Sequence, residues 1–271
     1  MTDKVLKMGE VQLAYTEIGN GPTSVLLHGF TGNRHTMADL GDRLGGRRIL
    51  VDLPGHGDTV CPEGDPAYTM QGHIALLAEL LEQRCDDPVD LIGYSMGARV
   101  ALSLALERPR RLRTLTLIGG SPGLSSAKER RLRIVADTKL AHMLHAEGIE
   151  KFVDHWMALP MWASLSEALG PQGWEDSKRQ RLQNDAAGLA ESLIGIGTGQ
   201  MPPLHDRLHE VGMPVLLIVG ELDEKFRSIA AEMAAKMPNA KVKVAGGAGH
   251  AVHTERPDAT ARVVSDFLGR G

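Results

Sequence analysis

Residues 89–106 read VDLIGYSMGARVALSLAL, and their order decides the fold. The first half is a short apolar run of strand type, and the second carries apolar residues at helical spacing. Between them lies Gly93-Tyr94-Ser95-Met96-Gly97, a G-x-S-x-G pattern. A sharp turn from strand into helix needs small residues on both sides of its apex and exposes the apex side chain. Ser95 is therefore expected at a helix N-terminus as nucleophile or base, with Arg99 one helical turn beyond it.

Working outward, the runs SVLLHG, RRILVDLPG, LRTLTLIGG, MPVLLIVGE and AKVKVAGGAG share the character of VDLIGYS. Each is short, β-branched or leucine-rich, with little alternation, as expected for strands buried on both faces of a parallel sheet. Helical spacing recurs over residues 70–84, and the helical runs ALSLALERP and SIAAEMAAKMP each stop near a proline. Strand and helix in alternation predict a doubly wound, mostly parallel α/β fold. The alternation breaks from Ser125 to about Leu208, where the patterns are helical and all three tryptophans fall. One domain over residues 1–271 is expected, with a helical cap inserted over 121–208. GIGTGQMPP, residues 195–203, is expected to join the cap helices at the exit.

The 271 residues carry a net charge of −4. The basic run RPRRLR, residues 108–113, reads as the coat of a helix end rather than a nucleic-acid site. No apolar run approaches the ~18 residues of a membrane span, and the N-terminal residues lack the apolar core of a secretory signal. Cys61 and Cys85 have no metal-ligand spacing and read as free thiols. These features predict a soluble, cytoplasmic protein acting on a small molecule, without metal, cofactor, nucleic acid or membrane, its oligomeric state left open.

A serine hydroxyl is weak until another group takes its proton. In this kind of sheet the partners follow in the order Ser, Asp or Glu, His. After PVLLIVG the sequence offers Glu221, Asp223 and Glu224, and the offset from the strand favours Asp223. After KVKVAGGAG comes His250, preferred over His253 because small residues let its loop approach the serine. Negative charge on a former carbonyl oxygen needs donors aimed at it. The backbone amides of Met96 and of Phe30, within His28-Gly29-Phe30, are the candidates. Asp52 and His56 of DLPGHG read as scaffold.

In order, LHGFTGN, DLPGHG, GYSMGAR, GELDEKF and AGHAVHTERP resemble the α/β-hydrolase superfamily. The arginine of GYSMGAR, SPGL before an arginine-rich helix, WMALPMWASL and GLAESLIGIGTGQMPPL narrow the likeness. Together they resemble the 2-succinyl-6-hydroxy-2,4-cyclohexadiene-1-carboxylate synthase family of menaquinone biosynthesis, over essentially the whole chain. The resemblance implies a lyase that removes a proton beside a succinyl ketone and expels pyruvate from an enolpyruvyl group. Ser95, His250 and Asp223 then act as a base relay, and the Phe30 and Met96 amides hold an enolate oxygen. For the polycarboxylate substrate the resemblance implies Tyr94, Arg99, Arg133, Trp156 and Arg181. One departure is Ile194, where the family usually has an arginine. A carboxylesterase or carbon–carbon bond hydrolase with the same triad is the enzymatic rival, and a ligand-binding module without turnover is the non-enzymatic one.

Overall fold

The computed structural model describes residues 2–270. Eight strands form one sheet: β1 (Thr2–Met8), β2 (Val11–Ile18), β3 (Thr23–Leu27), β4 (Arg47–Val51), β5 (Val89–Tyr94), β6 (Leu112–Ile118), β7 (Val215–Gly220) and β8 (Ala240–Ala245). Their spatial order is β1-β2-β4-β3-β5-β6-β7-β8. The β1–β2 and β2–β4 pairs are antiparallel and all later pairs are parallel. The mostly parallel α/β sheet expected from the sequence is therefore present.

Side chains of successive strand residues point to opposite faces, and two helical layers receive them. Val25, Leu27, Ile49, Val51, Leu91, Leu115 and Leu217 pack with α2 (Met70–Arg84), α3 (Met96–Glu107) and α7 (Glu224–Lys236). Leu26, Leu50, Ile92, Ile118, Leu216 and Ile218 pack with α1 (Ala38–Leu44), α8 (Val252–Glu255) and α9 (Pro257–Leu268). Burial on both faces explains the missing polar alternation in these runs. AKVKVAGGAG departs from that expectation. As β8 it is the edge strand, and Lys241, Lys243 and Val244 are exposed. A strand with one neighbour leaves part of its surface to water, and lysines there discourage further pairing. In the basic run, Arg111 donates to the Leu81 and Cys85 carbonyls at the end of α2, both at 2.5 Å. Cys61 and Cys85 are free.

Between β6 and β7 the regular elements are helical: α4 (Ala127–Met157), α5 (Ala163–Arg181) and α6 (Ala186–Ile196), with short 3-10 turns. The segment has a core of its own, in which Leu144, Phe152 and Val153 meet Leu189 and Leu193. Gly148 (φ 80°) and Gly170 (φ 64°) break α4 and α5 with backbone values that favour glycine, and Pro171 follows the second break. The α6 helix lies against the sheet loops backbone to backbone. A Cβ on Gly55 would run into the Gly188 carbonyl, and one on Gly195 into the Tyr68 carbonyl. The Asn184 amide donates to the Thr31 carbonyl at 2.9 Å, and its oxygen accepts from the Gly57 N–H at 3.1 Å. GIGTGQMPP thus begins inside α6 and leaves it as the return to the sheet. Among the described residues no helix is long and apolar enough to cross a membrane.

The antiparallel end of the sheet is tied by one carboxylate. Glu17 on β2 accepts from Lys4 at 2.5 Å, Arg47 at 2.8 Å and Arg84 at 3.0 Å. Burial pushes its pKa up, but the three cations overcome this and hold it down at about 2. A pKa depressed on folding gives stability that is full above the unfolded value and is lost as pH falls toward the folded one. Glu17→Gln should therefore cost about 1–3 kcal/mol at pH 7. Urea midpoints of the two proteins should converge as the pH is taken from 5 to 2.5.

Candidate active site

Ser95 stands at the junction of β5 and α3 with φ 50° and ψ −106°. It is one of two non-glycine residues with positive φ among those described. The flanking glycines allow this. A Cβ on Gly93 would collide with the Gly97 carbonyl, and one on Gly97 with the Leu27 and His28 carbonyls. Backbone bonds fix the turn, with Ser95 N–H donating to Ile118 O at 2.8 Å and Gly97 N–H to His28 O at 3.0 Å.

The triad expected from the sequence is assembled. His250 Nε2 lies 3.0 Å from Ser95 Oγ, and Nδ1 lies 2.8 Å from Asp223 Oδ2. With Nδ1 protonated toward the carboxylate, Nε2 is left to accept the serine proton. Asp223 also caps α7, accepting the Phe226 N–H at 3.3 Å on its other oxygen. His253 takes a different place. Its ring packs 4.3 Å from that of Tyr94 and does not line the cavity of Ser95, and burial, then His250, pushes its pKa down to about 4. Small residues are sterically required here, since a Cβ on Gly249 of the His250 loop would meet Ser164 Oγ, and one on Gly220 at the end of β7 would meet the Gly249 and Ala248 carbonyls.

Met96 is the first residue of α3, where helix amides lack intrahelical partners. Phe30 lies opposite, in the loop after β3, and both residues line the same cavity as Ser95 and His250. Buried His28 holds that loop: its Nε2 accepts the Leu53 N–H at 3.0 Å, and its Nδ1 donates to Gly29 O at 2.8 Å. Asp52 is likewise structural, fully buried and paired with Arg34. His56 packs against His28 and Phe30, with ring centroids 5.0 and 5.5 Å away.

The cavity measures about 260 Å³ and extends from the triad to the cap. Arg99 and Arg133 line it, from α3 and α4 respectively, and Tyr94 and Trp156 complete the set expected around the serine. Arg99 Nη1 donates to the Ile196 carbonyl at 2.6 Å. Burial, then nearby Arg133, pushes its pKa down to about 10, with Asp137 opposing. Arg181 is placed elsewhere. It lines a neighbouring cavity with Tyr94, Trp162 and His253, its guanidinium 5.6 Å from the Trp162 ring centre and bonded to Ser177. Ile194 is exposed on α6 and does not line the cavity of Ser95.

Sequence reasoning missed several residues here. Lys225, two positions after Asp223, lines the cavity with its ammonium 5.8 Å from the Phe226 ring centre. Phe226 and Trp162 pack on the His250 ring at 4.5 and 6.2 Å. Buried Glu255 accepts the N–H groups of Gly249 (2.7 Å) and Ala251 (3.0 Å), on either side of His250. GELDEKF and AGHAVHTERP contain Lys225 and Glu255 but give no sign of these contacts.

Residues 25–263 match the alpha/beta hydrolase family. The chain belongs to that family. Within it, a Bacillus subtilis protein named putative 2-succinyl-6-hydroxy-2,4-cyclohexadiene-1-carboxylate synthase is 39% identical over 94% of both chains. The Salmonella typhimurium synthase of that name is 32% identical, over 91% of this chain and 94% of its own. The structure of MenH from S. aureus superposes with a TM-score of 0.90 at 33% identity, covering 94% of this chain and 97% of that one. An enol-lactonase from Burkholderia xenovorans, 22% identical with a TM-score of 0.84, shares the fold of this alpha/beta hydrolase.

Glu255 gives a test of how the histidine loop is held. Glu255→Gln turns one acceptor into a donor facing an N–H, so the loop should shift. Because misplacing a catalytic group by about 1 Å can cost ~10²-fold, turnover should fall by about that factor while the melting temperature moves little. Unchanged turnover would place the cause of His250's orientation elsewhere.

Proposed function

We propose that this alpha/beta hydrolase is a 2-succinyl-6-hydroxy-2,4-cyclohexadiene-1-carboxylate synthase, a cofactor-free carbon–oxygen lyase. Its substrate is 2-succinyl-5-enolpyruvyl-6-hydroxy-3-cyclohexene-1-carboxylate, and it releases pyruvate. The observation that carries this reading is the presence of Arg99 and Arg133 in the same cavity as the Ser95–His250–Asp223 relay. The substrate bears three carboxylates, and guanidinium forks match carboxylates in geometry and charge. A simple ester hydrolase has no use for two arginines there. The identities of 39% and 32% with proteins of that name support the same reading.

The chemistry follows from the atoms. Ser95 Oγ takes the ring proton next to the succinyl ketone as its own proton passes to His250 Nε2. The electron pair of that C–H bond forms a ring double bond beside the ketone, and the existing double bond moves one position along. The carbon–oxygen bond to the enolpyruvyl group breaks as the double bond moves, its own electron pair leaving on oxygen, which gives a cyclohexadiene and the enolate of pyruvate. The proton held by His250 is available to the departing group, so the relay returns to its starting state. During this transfer the ketone oxygen gains negative charge, and the Phe30 and Met96 amides receive it. Arg99 and Arg133 bind carboxylates, with Tyr94 and Trp156 shaping the wall. Arg181, expected as a third clamp, lines the neighbouring cavity, and Lys225 is the further cation at the wall of the one with Ser95. The cytoplasmic placement stays part of this reading, in keeping with free Cys61 and Cys85.

The same 3.0 Å Ser95–His250 contact also suits a serine that attacks an ester, so one experiment is run against both chemistries. Pyruvate release from enzymatically made substrate is followed above the no-enzyme blank, with a short-chain nitrophenyl ester in parallel. Fast pyruvate release with feeble ester turnover is expected. Ser95→Ala should lose about 10²–10⁴-fold of it. Strong ester turnover with pyruvate release at the blank rate would sink the lyase and favour the hydrolase. Arg99→Ala should lower kcat/KM for the lyase by about 10–100-fold, the loss of a charged hydrogen bond, and leave any ester turnover unchanged.

A further inference from the structure

Of the two arginines that line the cavity with Ser95, one is paired with an acid. Arg133 Nε lies 2.8 and 2.9 Å from the two carboxylate oxygens of Asp137, and its Nη2 is 2.8 Å from Oδ1. Arg99 has only the neutral Ile196 carbonyl as a hydrogen-bond acceptor among the described residues. Asp137 does not itself line the cavity.

A pairing four residues apart on a helix is ordinarily a surface feature worth little. Here the acid is buried, although the arginine is not. The Asp137 side chain is 3% exposed and that of Arg133 is 40% exposed. The carboxylate lies so close to the end of α6 that a Cβ on Gly197 would overlap it. Burying an acid there is unfavourable unless its partner is held. Packing between α4 and α6 alone would be served by an apolar residue. The acid occupies the Nε and Nη2 side of the guanidinium, leaving Nη1 without a protein partner among the described residues.

We propose that Asp137 is a positioning residue for substrate binding, holding the Arg133 guanidinium so that its free donors meet a substrate carboxylate beside Arg99. This rests on the assignment of Arg133 to a substrate carboxylate made above. Asp137 touches no reacting atom, so its effect passes through Arg133 alone.

A double-mutant cycle decides the matter, because residues that act as one unit are non-additive. kcat and KM for pyruvate release are measured for wild type, Asp137→Asn, Arg133→Ala and the double variant, with melting temperatures alongside. Asn accepts where Asp does but opposes one Arg133 donor with an N–H. Asp137→Asn is expected to raise KM about tenfold, with kcat within about twofold of wild type. In the Arg133→Ala background the same change should do nothing further. An equal loss in both backgrounds, or an unchanged KM, overturns the proposal and leaves Asp137 a structural residue. If Asp137→Asn does not fold, Asp137→Ser takes its place in the cycle. If wild type releases no pyruvate, the lyase reading fails by itself. The same four proteins titrated calorimetrically with succinate then test whether Asp137 acts on carboxylate binding through Arg133.

Discussion

The site depends on the close approach of bare backbone around Ser95. A serine in the left-handed region costs about 1–3 kcal/mol, and surrounding packing has to hold it there. Gly93 and Gly97 make that possible by letting β5, α3 and the end of β3 come closer than any side chain would permit. The distance from the serine to the loop of Phe30 is thereby set by main-chain contact. The histidine is delivered in the same manner: Gly119 lies beneath its ring and Gly220 behind its loop, neither with room for a Cβ. A hydroxyl, an imidazole and two amides are thus placed by parts of the chain that cannot adjust by changing rotamer.

On that fixed base the choice of chemistry falls to charge. A relay of serine, histidine and aspartate serves acyl transfer and proton abstraction equally well, and so do donors aimed at an oxyanion. What separates the two is the partner the cavity is built to receive. Arg99 comes from the helix that begins at the serine, whereas Arg133 comes from the inserted helices. The cationic end of the cavity is therefore complete only when both parts of the fold are in place. Trp156 and Trp162 add apolar wall from the same insertion.

Much of this was legible in the sequence because it is local. The turn at residues 93–97 carries its glycines in fixed positions, the strands announce themselves by length, and Asp223 and His250 follow strands at short offsets. Features that depend on what lies across a gap were not legible. Nothing in AKVKVA says that its strand ends the sheet, so its exposed lysines read like residues of a buried strand. Arg181 and Arg133 both sit on cap helices, and only the packing of α5 against Trp162 sends the first to another cavity. An Arg–Asp pair four residues apart looks the same on a wet helix as on one pressed against Gly197. Glu255 is similar, a common acid near a helix end whose value comes from two amides brought to it by the fold.

The contact between α6 and the sheet loops bears on how such an enzyme can change over generations. At Gly55, Gly188 and Gly195 backbone meets backbone, so replacement by any larger residue pushes α6 off the loops it rests on. That seam is closed to drift. The α4 and α5 helices are broken by Gly148 and Gly170, and a Cβ at either break would meet nothing. Apart from the close approach of Gly199 to the Arg130 carbonyl of α4, side chains such as Leu144, Phe152 and Val153 make their contacts, and these can be exchanged piecemeal. New ligand preferences on this scaffold therefore have one open route, through α4 and α5, while α6 stays as the anchor from which they are varied.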